Sequence, residues 1–312
     1  MAKAKLAPPF NTAVDLDVWA AEVLRLRFDE VLSFGGAALV PGNVNGVHDM
    51  RVALRRLRSA LRDFVHVINE KPLKRVSREL KKIADALGVV RDRDVAIIAL
   101  DDLAAEIDDE SIKSGIGILI EGLRAECEHE CGRLQKTYTV TSLNDLRERF
   151  AATIEHVLSQ QELFRPATLK EAGTAVIESR LKDFCESGRA IYEPFESVRL
   201  HDLRIASKRL RYAIELFAVC FEDDIRKFAA ELAKLQSNLG EVHDCDLWIE
   251  SLSKRLTETD TAKVNDGVSL AAAAWLLSRF TQKRSKEYCS ALNLWREWTG
   301  NRFVDRLRGI LN

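Results

Sequence analysis

The residues best placed to do chemistry are cations set at helical spacing. Residues 47–64 read VHDMRVALRRLRSALRDF. At about 100° per residue from His48, Arg51 falls near about 300°, Arg55 about 340°, Arg58 about 280° and Arg62 about 320°. His48 and four arginines therefore share one narrow face, with Leu54, Leu57, Leu61 and Phe64 opposite and Arg56 to one side. Residues 200–217 read LHDLRIASKRLRYAIELF and repeat the arrangement. His201, Arg204, Lys208 and Arg211 line one face, Leu203, Leu210, Ile214 and Phe217 the other, and Arg209 stands off the stripe as Arg56 does. Glu215 occupies the place of Arg62, so the second stripe is one charge shorter. Like charges at i, i+4 repel by a few tenths of a kcal/mol. A solvated helix relieves this by interleaving Glu, but here Asp49, Asp63 and Asp202 lie off the stripes. A single stripe reads as a solvated face, or as one neutralised by a neighbouring helix. Two at matching positions favour an anionic partner.

The two stripes belong to a duplication. The segments at 47–64 and 200–217 are identical at 9 of 18 aligned positions. A second pair follows in the same order: ELKKIADALGVVRDRDV at 79–95 and ELAKLQSNLGEVHDCDL at 231–247. The offsets are 153 and 152 residues, so the repeat is domain-sized rather than a solenoid unit. Pro166 restarts the pattern, which places the halves at 12–162 and 166–312.

Helices must carry these segments. Gly is 15 and Pro 6 in 312 residues, too few for many hairpins. No alternating run is long enough for a strand. Breaks are expected near Gly35–Gly46, Lys71–Pro72, Gly88, Asp108–Ser111, Thr139–Ser142, Pro194, Asp223–Asp224, Gly240–Asp244, Asp260 and Gly267. The expected fold is all-α, with each half an antiparallel bundle of four or more helices.

More cations follow each stripe. Lys71, Lys74, Arg75, Arg78, Lys81 and Lys82 stand against Glu70 and Glu79; Arg226, Lys227 and Lys234 are the counterparts in the second half. The last helices add Arg279, Lys283, Arg284, Lys286, Arg296, Arg302, Arg306 and Arg308. Acid concentrates elsewhere, as in DDLAAEIDDE at 101–110, so the formal net charge of -1 conceals separated basic and acidic faces. With 46% hydrophobic and 30% charged residues the chain has the balance of a globular protein. The start MAKAKLAPPF lacks an apolar signal region, and VSLAAAAWLL at 268–277 is short of the about 20 residues that cross a bilayer. A cytoplasmic protein without a membrane partner is expected. Cys127, Cys131, Cys185, Cys220, Cys245 and Cys289 read as reduced thiols in small core positions.

The H-D-x-R-[VI]-A-x-[RK]-R-L-R segments at 48–58 and 201–211 resemble the signature of the CHAD family, the conserved-histidine α-helical domain. So do the L-G-x-x-x-D-x-D segments at 87–94 and 239–246. The resemblance spans about 12–311 and implies a stand-alone module of two pseudo-symmetric antiparallel four-helix bundles. It implies binding of inorganic polyphosphate in a basic groove and association with polyphosphate granules. The family's basic motif falls on His48, Arg51, Arg55, Arg56 and Arg58, and on His201, Arg204, Lys208, Arg209 and Arg211. Its second motif falls on Leu87, Gly88, Asp92 and Asp94, and on Leu239, Gly240, Asp244 and Asp246. The first copy carries Arg91 where the second carries His243, which argues against two equivalent metal sites.

The physics of the stripe agrees. A linear polyphosphate carries about one charge per phosphate, and a helix turn rises about 5.4 Å, so the cation ladder has a similar pitch. Arg binds phosphate oxygens bidentately at fixed charge. Two facing halves would double the ladder. The expected site comprises both motifs' cations with Arg62, Lys74, Arg75, Arg78, Lys81, Lys82, Lys227 and Lys234. His48 and His201 are expected to donate to phosphate, and His66, His129 and His156 to lie at the surface. Asp92, Asp94, Asp244 and Asp246 read as helix caps and arginine partners. No catalytic residue, resident metal or cofactor is expected, although Mg²⁺ could accompany the polyanion. Two alternatives remain: a metal-dependent phosphohydrolase, and a non-specific nucleic-acid binder. The second would want stacking aromatics, which the stripes lack.

Overall fold

Apolar residues at three- and four-residue spacing build ten α-helices and no strand among the residues that this computed structural model describes, 15–65, 70–160, 168–221, 224–257 and 270–312. They are α1 Leu16–Ala38, α2 Val44–Asp63, α3 Glu70–Ala105, α4 Glu110–Thr137, α5 Val140–Gln160, α6 Leu169–Ser187, α7 Ser197–Phe217, α8 Ile225–Thr257, α9 Leu270–Gly300 and α10 Phe303–Leu311. Short 3-10 turns occupy Gly188–Tyr192 and Ala218–Cys220. The all-α expectation holds.

Capping explains several boundaries. Asn43 accepts from the Gly46 amide at 2.9 Å and opens α2. Asp109 accepts from the Ser111 and Ile112 amides at the head of α4. Thr139 and Ser142 bond reciprocally before α5, as do Thr168 and Glu171 before α6. Pro72 sits in the first turn of α3, where its missing N–H has no helical partner to lose.

The break expected over Gly35–Gly46 falls at 39–43, between α1 and α2, with Gly35 and Gly36 still inside α1. Two other expected breaks are absent. α3 runs through Gly88 and α8 through Gly240 without interruption. Asp92, Asp94, Asp244 and Asp246 are therefore mid-helix and cap nothing, a correction to the sequence reading. Tertiary contacts outweigh the roughly 1 kcal/mol that an interior glycine costs against alanine. The breaks at Asp223, Asp260 and Gly267, the boundary at Pro166 and His66 lie outside the described residues.

The chain forms two compact units. The first holds the described residues of Met1–Ile98 and Leu123–Gly173, the second those of Ala99–Gly122 and Thr174–Asn312. Residues 99–122, the end of α3 and the first part of α4, group with the second.

In the first unit Trp19, Phe28, Phe64 and Phe150 fill the core with Leu24, Leu54, Leu57 and Leu80. Trp19 meets Phe64 edge-on at 5.8 Å between ring centres. α2 crosses α1 so closely that a Cβ at Gly46 would lie 2.5 Å from the Ala37 carbonyl oxygen. A buried ion pair joins Arg27 and Glu30 at 2.9 Å within α1.

The second unit is centred on Phe184, Phe217, Leu210, Leu232 and Phe303. Trp298 stacks on Phe303 at 4.5 Å, and Trp248 on Phe280 at 5.1 Å. Of the cysteines only Cys245 is buried; Cys185 and Cys289 are exposed and the others half-buried, so the expected core role holds for one thiol of six.

Candidate anion-binding site

The first stripe lies on α2, whose inner face buries Val47, Met50, Ala53, Leu54, Leu57 and Ala60. That burial fixes the helix rotation and leaves His48, Arg51, Arg55, Arg58 and Arg62 half-exposed along the other side. Arg55 and Arg58 meet no carboxylate within 4.0 Å among the described residues. The Arg55 Nε atom is shielded from solvent and donates to no group among them. Such buried donors are rare in folded proteins.

Both ends of this stripe are partly neutralised. Arg51 Nη1 lies 3.5 Å from Asp92 Oδ1 on α3. Arg62 donates to Ser59 Oγ at 2.7 Å, and its Nε lies 3.8 Å from the buried Asp63. The expectation that the stripe carries no internal counter-ions is thus correct for its middle and wrong at these two positions. The reason is that the neighbouring α3 and the last turn of α2 supply acids.

The second stripe lies on α7 above Leu203, Ala206, Leu210, Ala213 and Ile214. His201, Arg204, Lys208, Arg209 and Arg211 are half-exposed. Arg204 and Arg209 meet no carboxylate within 4.0 Å among the described residues. Arg211 pairs with Glu215 one turn on, at 3.6 Å, and covers the Tyr212 ring at 4.8 Å. Gln236 on α8 donates to the Ser207 carbonyl at 3.1 Å and ties the two helices together.

Each stripe histidine faces the same repeat position on the following helix. His201 lies against His243, with ring centres 4.3 Å apart. Burial, then His243, Arg204 and Lys208, hold His201 below its ordinary 6.5; Asp202 opposes them. Burial, then Arg91, with a smaller part from Arg55, do the same for His48, against Asp49. The departure between the copies, Arg91 for His243, therefore sits beside the stripe in both units. His201 Nδ1 is shielded and has no hydrogen-bond partner among the described residues.

The acidic motif divides its work. Asp246 accepts from Arg284 Nε on α9 at 2.5 Å, and Arg284 Nη2 donates to the Pro194 carbonyl at 2.6 Å. That interaction anchors the loop that leads into α7. Asp94, the counterpart, accepts instead from the Cys127 thiol at 3.5 Å. Burial, then the Asp94 charge, push that thiol up to about 12, so it stays protonated. Arg284 was visible in the sequence only as one of many late cations, because its partner is 38 residues away.

The additional cations do not all join the stripes. Counted round α3 from Gly88, Lys74 and Lys81 fall within about 40° of it, whereas Arg75, Arg78 and Lys82 lie about 80–140° away. Lys227 and Lys234 are displaced likewise on α8, about 120–140° from Gly240. Lys227 pairs with Asp224 at 2.5 Å and Arg75 with Glu79 at 3.6 Å. His129 and His156 are exposed as expected. No group of three or more His, Cys, Asp or Glu side chains among the described residues could hold a metal ion. No helix among them is long and apolar enough to cross a membrane.

An all-helical chain whose two units each set a histidine-headed basic helix against an L-G-x-x-x-D-x-D helix defines a recognisable class. The CHAD domain family matches residues 22–253, and the chain belongs to that family. The uncharacterized protein Rv2226 of Mycobacterium tuberculosis is 27% identical over 227 residues, which are 70% of this chain and 42% of that protein. The chain thus spans less than half of that relative's length. The crystal structure of the CHAD domain from the plant Ricinus communis superposes with a TM-score of 0.64 at 18% identity, over 94% of this chain and 96% of that one. PptA from Streptomyces chartreusis gives 0.66 at 13% identity, over 91% and 100%. At these identities the two structures establish the fold alone.

Proposed function

We propose that the chain binds inorganic polyphosphate through the basic faces of α2 and α7, without turning it over. One observation carries the reading: Arg55, Arg58 and Arg204, in the run of the stripes, face no carboxylate within 4.0 Å among the described residues. Several cations off the stripes are paired across helices, as in Arg25–Glu155, Arg147–Asp29, Arg149–Glu79, Lys283–Glu241 and Arg308–Glu178. A ligand of repeating phosphoryl units supplies the missing counter-charge at about the pitch of a helix turn. Membership of the CHAD family supports the same ligand and an association with polyphosphate granules. A polyanion with no sequence needs no base-stacking aromatic, and the stripes offer none. Divalent cations would enter with the ligand rather than as residents of the protein.

Calorimetric titration of the full chain with polyphosphates of several lengths tests this. The double variant Arg55→Glu, Lys208→Glu should lose most of its affinity, and Lys113→Glu, which changes an exposed lysine off both stripes, little. Equal loss in both variants, or tighter binding of nucleic acid than of long-chain polyphosphate, would contradict the reading. Sustained release of phosphate with Mg²⁺, dependent on Asp92 or Asp244, would turn it into a hydrolase.

A further inference from the structure

Two of the chain's helical glycines sit deep inside long helices, where alanine would serve the helix better. Gly88 lies in the middle of α3 and Gly240 in the middle of α8, at matching places in the duplication. Most other glycines within helices open onto empty space: nothing lies within 4 Å of a Cβ built on Gly36, Gly117, Gly122 or Gly132. At Gly88 the space is taken. A Cβ there would stand 2.9 Å from Nη1 of Arg51 and 3.8 Å from its Cζ. At Gly240 the nearest group is again the stripe arginine, Arg204, with Nε at 3.6 Å and Nη2 at 3.9 Å.

We propose that Gly88 is a positioning residue: the side chain it lacks leaves a notch in α3 that seats the Arg51 guanidinium and aims it along the basic face of α2. The notch explains why an arginine lying next to α3 is three-quarters covered, with 24% of its side chain exposed, and keeps Asp92 at 3.5 Å from the same Nη1. A guanidinium held in one rotamer loses less freedom when it binds a phosphate, so affinity follows from placement as well as charge. The seat at Gly240 is looser, because 3.6 Å is an ordinary contact that tolerates a methyl group. The two units therefore differ in how firmly each holds the equivalent arginine. Because Nη1 is the mobile end of a side chain, Gly88→Ala should fold and move Arg51 rather than the backbone.

This inference rests on the polyphosphate reading, and the experiment separates the two. Binding of long-chain polyphosphate and thermal stability are measured for the full chain and for Arg51→Ala, Gly88→Ala, Gly240→Ala and the double variant Arg51→Ala, Gly88→Ala. Gly88→Ala should weaken binding by about tenfold, the scale of one charge-assisted hydrogen bond, while its melting temperature stays level or rises. Gly240→Ala should bind within about twofold of the parent, as befits an ordinary contact. In the Arg51→Ala background Gly88→Ala should cost nothing further. If Arg51→Ala and the Arg55→Glu, Lys208→Glu pair both bind normally, the polyphosphate reading itself fails. If they lose binding but Gly88→Ala does not, or loses as much without Arg51 present, the notch has no role. An unfolded Gly88→Ala would overturn the proposal as well, since it would mean that something less yielding than a side-chain tip fills the space.

Discussion

Arg55 and His201 both lie half-exposed on the stripes. Each keeps a polar atom shielded from solvent with no hydrogen-bond partner among the described residues. Such an arrangement costs stability in the free protein. The stripe histidines carry a pH signature. Both are held below 6.5, chiefly by burial and then by Arg91 or His243. The unfolded chain therefore takes up protons at these positions at higher pH than the folded chain does. Stability should be full above 6.5 and decline as the pH falls through and below it. Melting curves between neutral and mildly acid pH should show this decline, and His48→Gln with His201→Gln should flatten it. Polyphosphate bound as proposed should reverse the direction, since an anion favours the imidazolium, so affinity should rise on acidification. Away from the stripes, Arg27 and Glu30 form a pair with side chains only 7% and 4% exposed. Arg27→Ala takes the paired guanidinium from a buried carboxylate and should cost about 3–5 kcal/mol in chemical denaturation, whereas replacing both with Met and Leu should cost far less.

The helices display what the sequence made legible and what it did not. The stripes on α2 and α7 could be placed residue by residue, because amphipathic periodicity fixes which side of a helix is buried. The caps at Asp109 and Thr139 were also readable, being local hydrogen bonds between residues two or three apart. The L-G-x-x-x-D-x-D segments were misread as helix ends, since a glycine followed by aspartates has the local form of a stop and a new start. A single interior glycine costs only about 1 kcal/mol against alanine, too little by itself to end helices as long as α3 and α8. The Arg27–Glu30 pair is illegible in sequence for a related reason: an i, i+3 pair has the form of a surface pair until the helix is docked. Close approach also makes glycines in neighbouring helices behave oppositely. Gly46→Ala would push a methyl group onto the Ala37 carbonyl and should destabilise by about 1–3 kcal/mol. Gly36→Ala, which has open space, should stabilise by about 0.5–1 kcal/mol, both read from the denaturation midpoint.

For the whole chain, the binding proposed above would depend on the cations collected on the faces of α2 and α7 rather than on the formal net charge of -1. Attraction for a polyanion should then depend on salt rather than on overall charge. At about 100 times the dissociation constant, polyphosphate should stabilise the fold by about 2.7 kcal/mol. The rise in melting temperature should shrink steeply as salt increases, since displaced counter-ions drive such binding. A gain that survives high salt would point to a ligand held by other forces.

The five tryptophans are divided unevenly: Trp19 alone lies in the first unit, and Trp248, Trp275, Trp295 and Trp298 lie in the second. Intrinsic fluorescence of the parent chain is therefore mainly a report on the second unit, where Trp298 is stacked on Phe303. Replacing Trp19 with Phe would make that report pure, and a chain retaining only Trp19 would give the complementary signal. The order in which the two units melt, and which of them a ligand protects, can thus be read optically from a single polypeptide without an added dye.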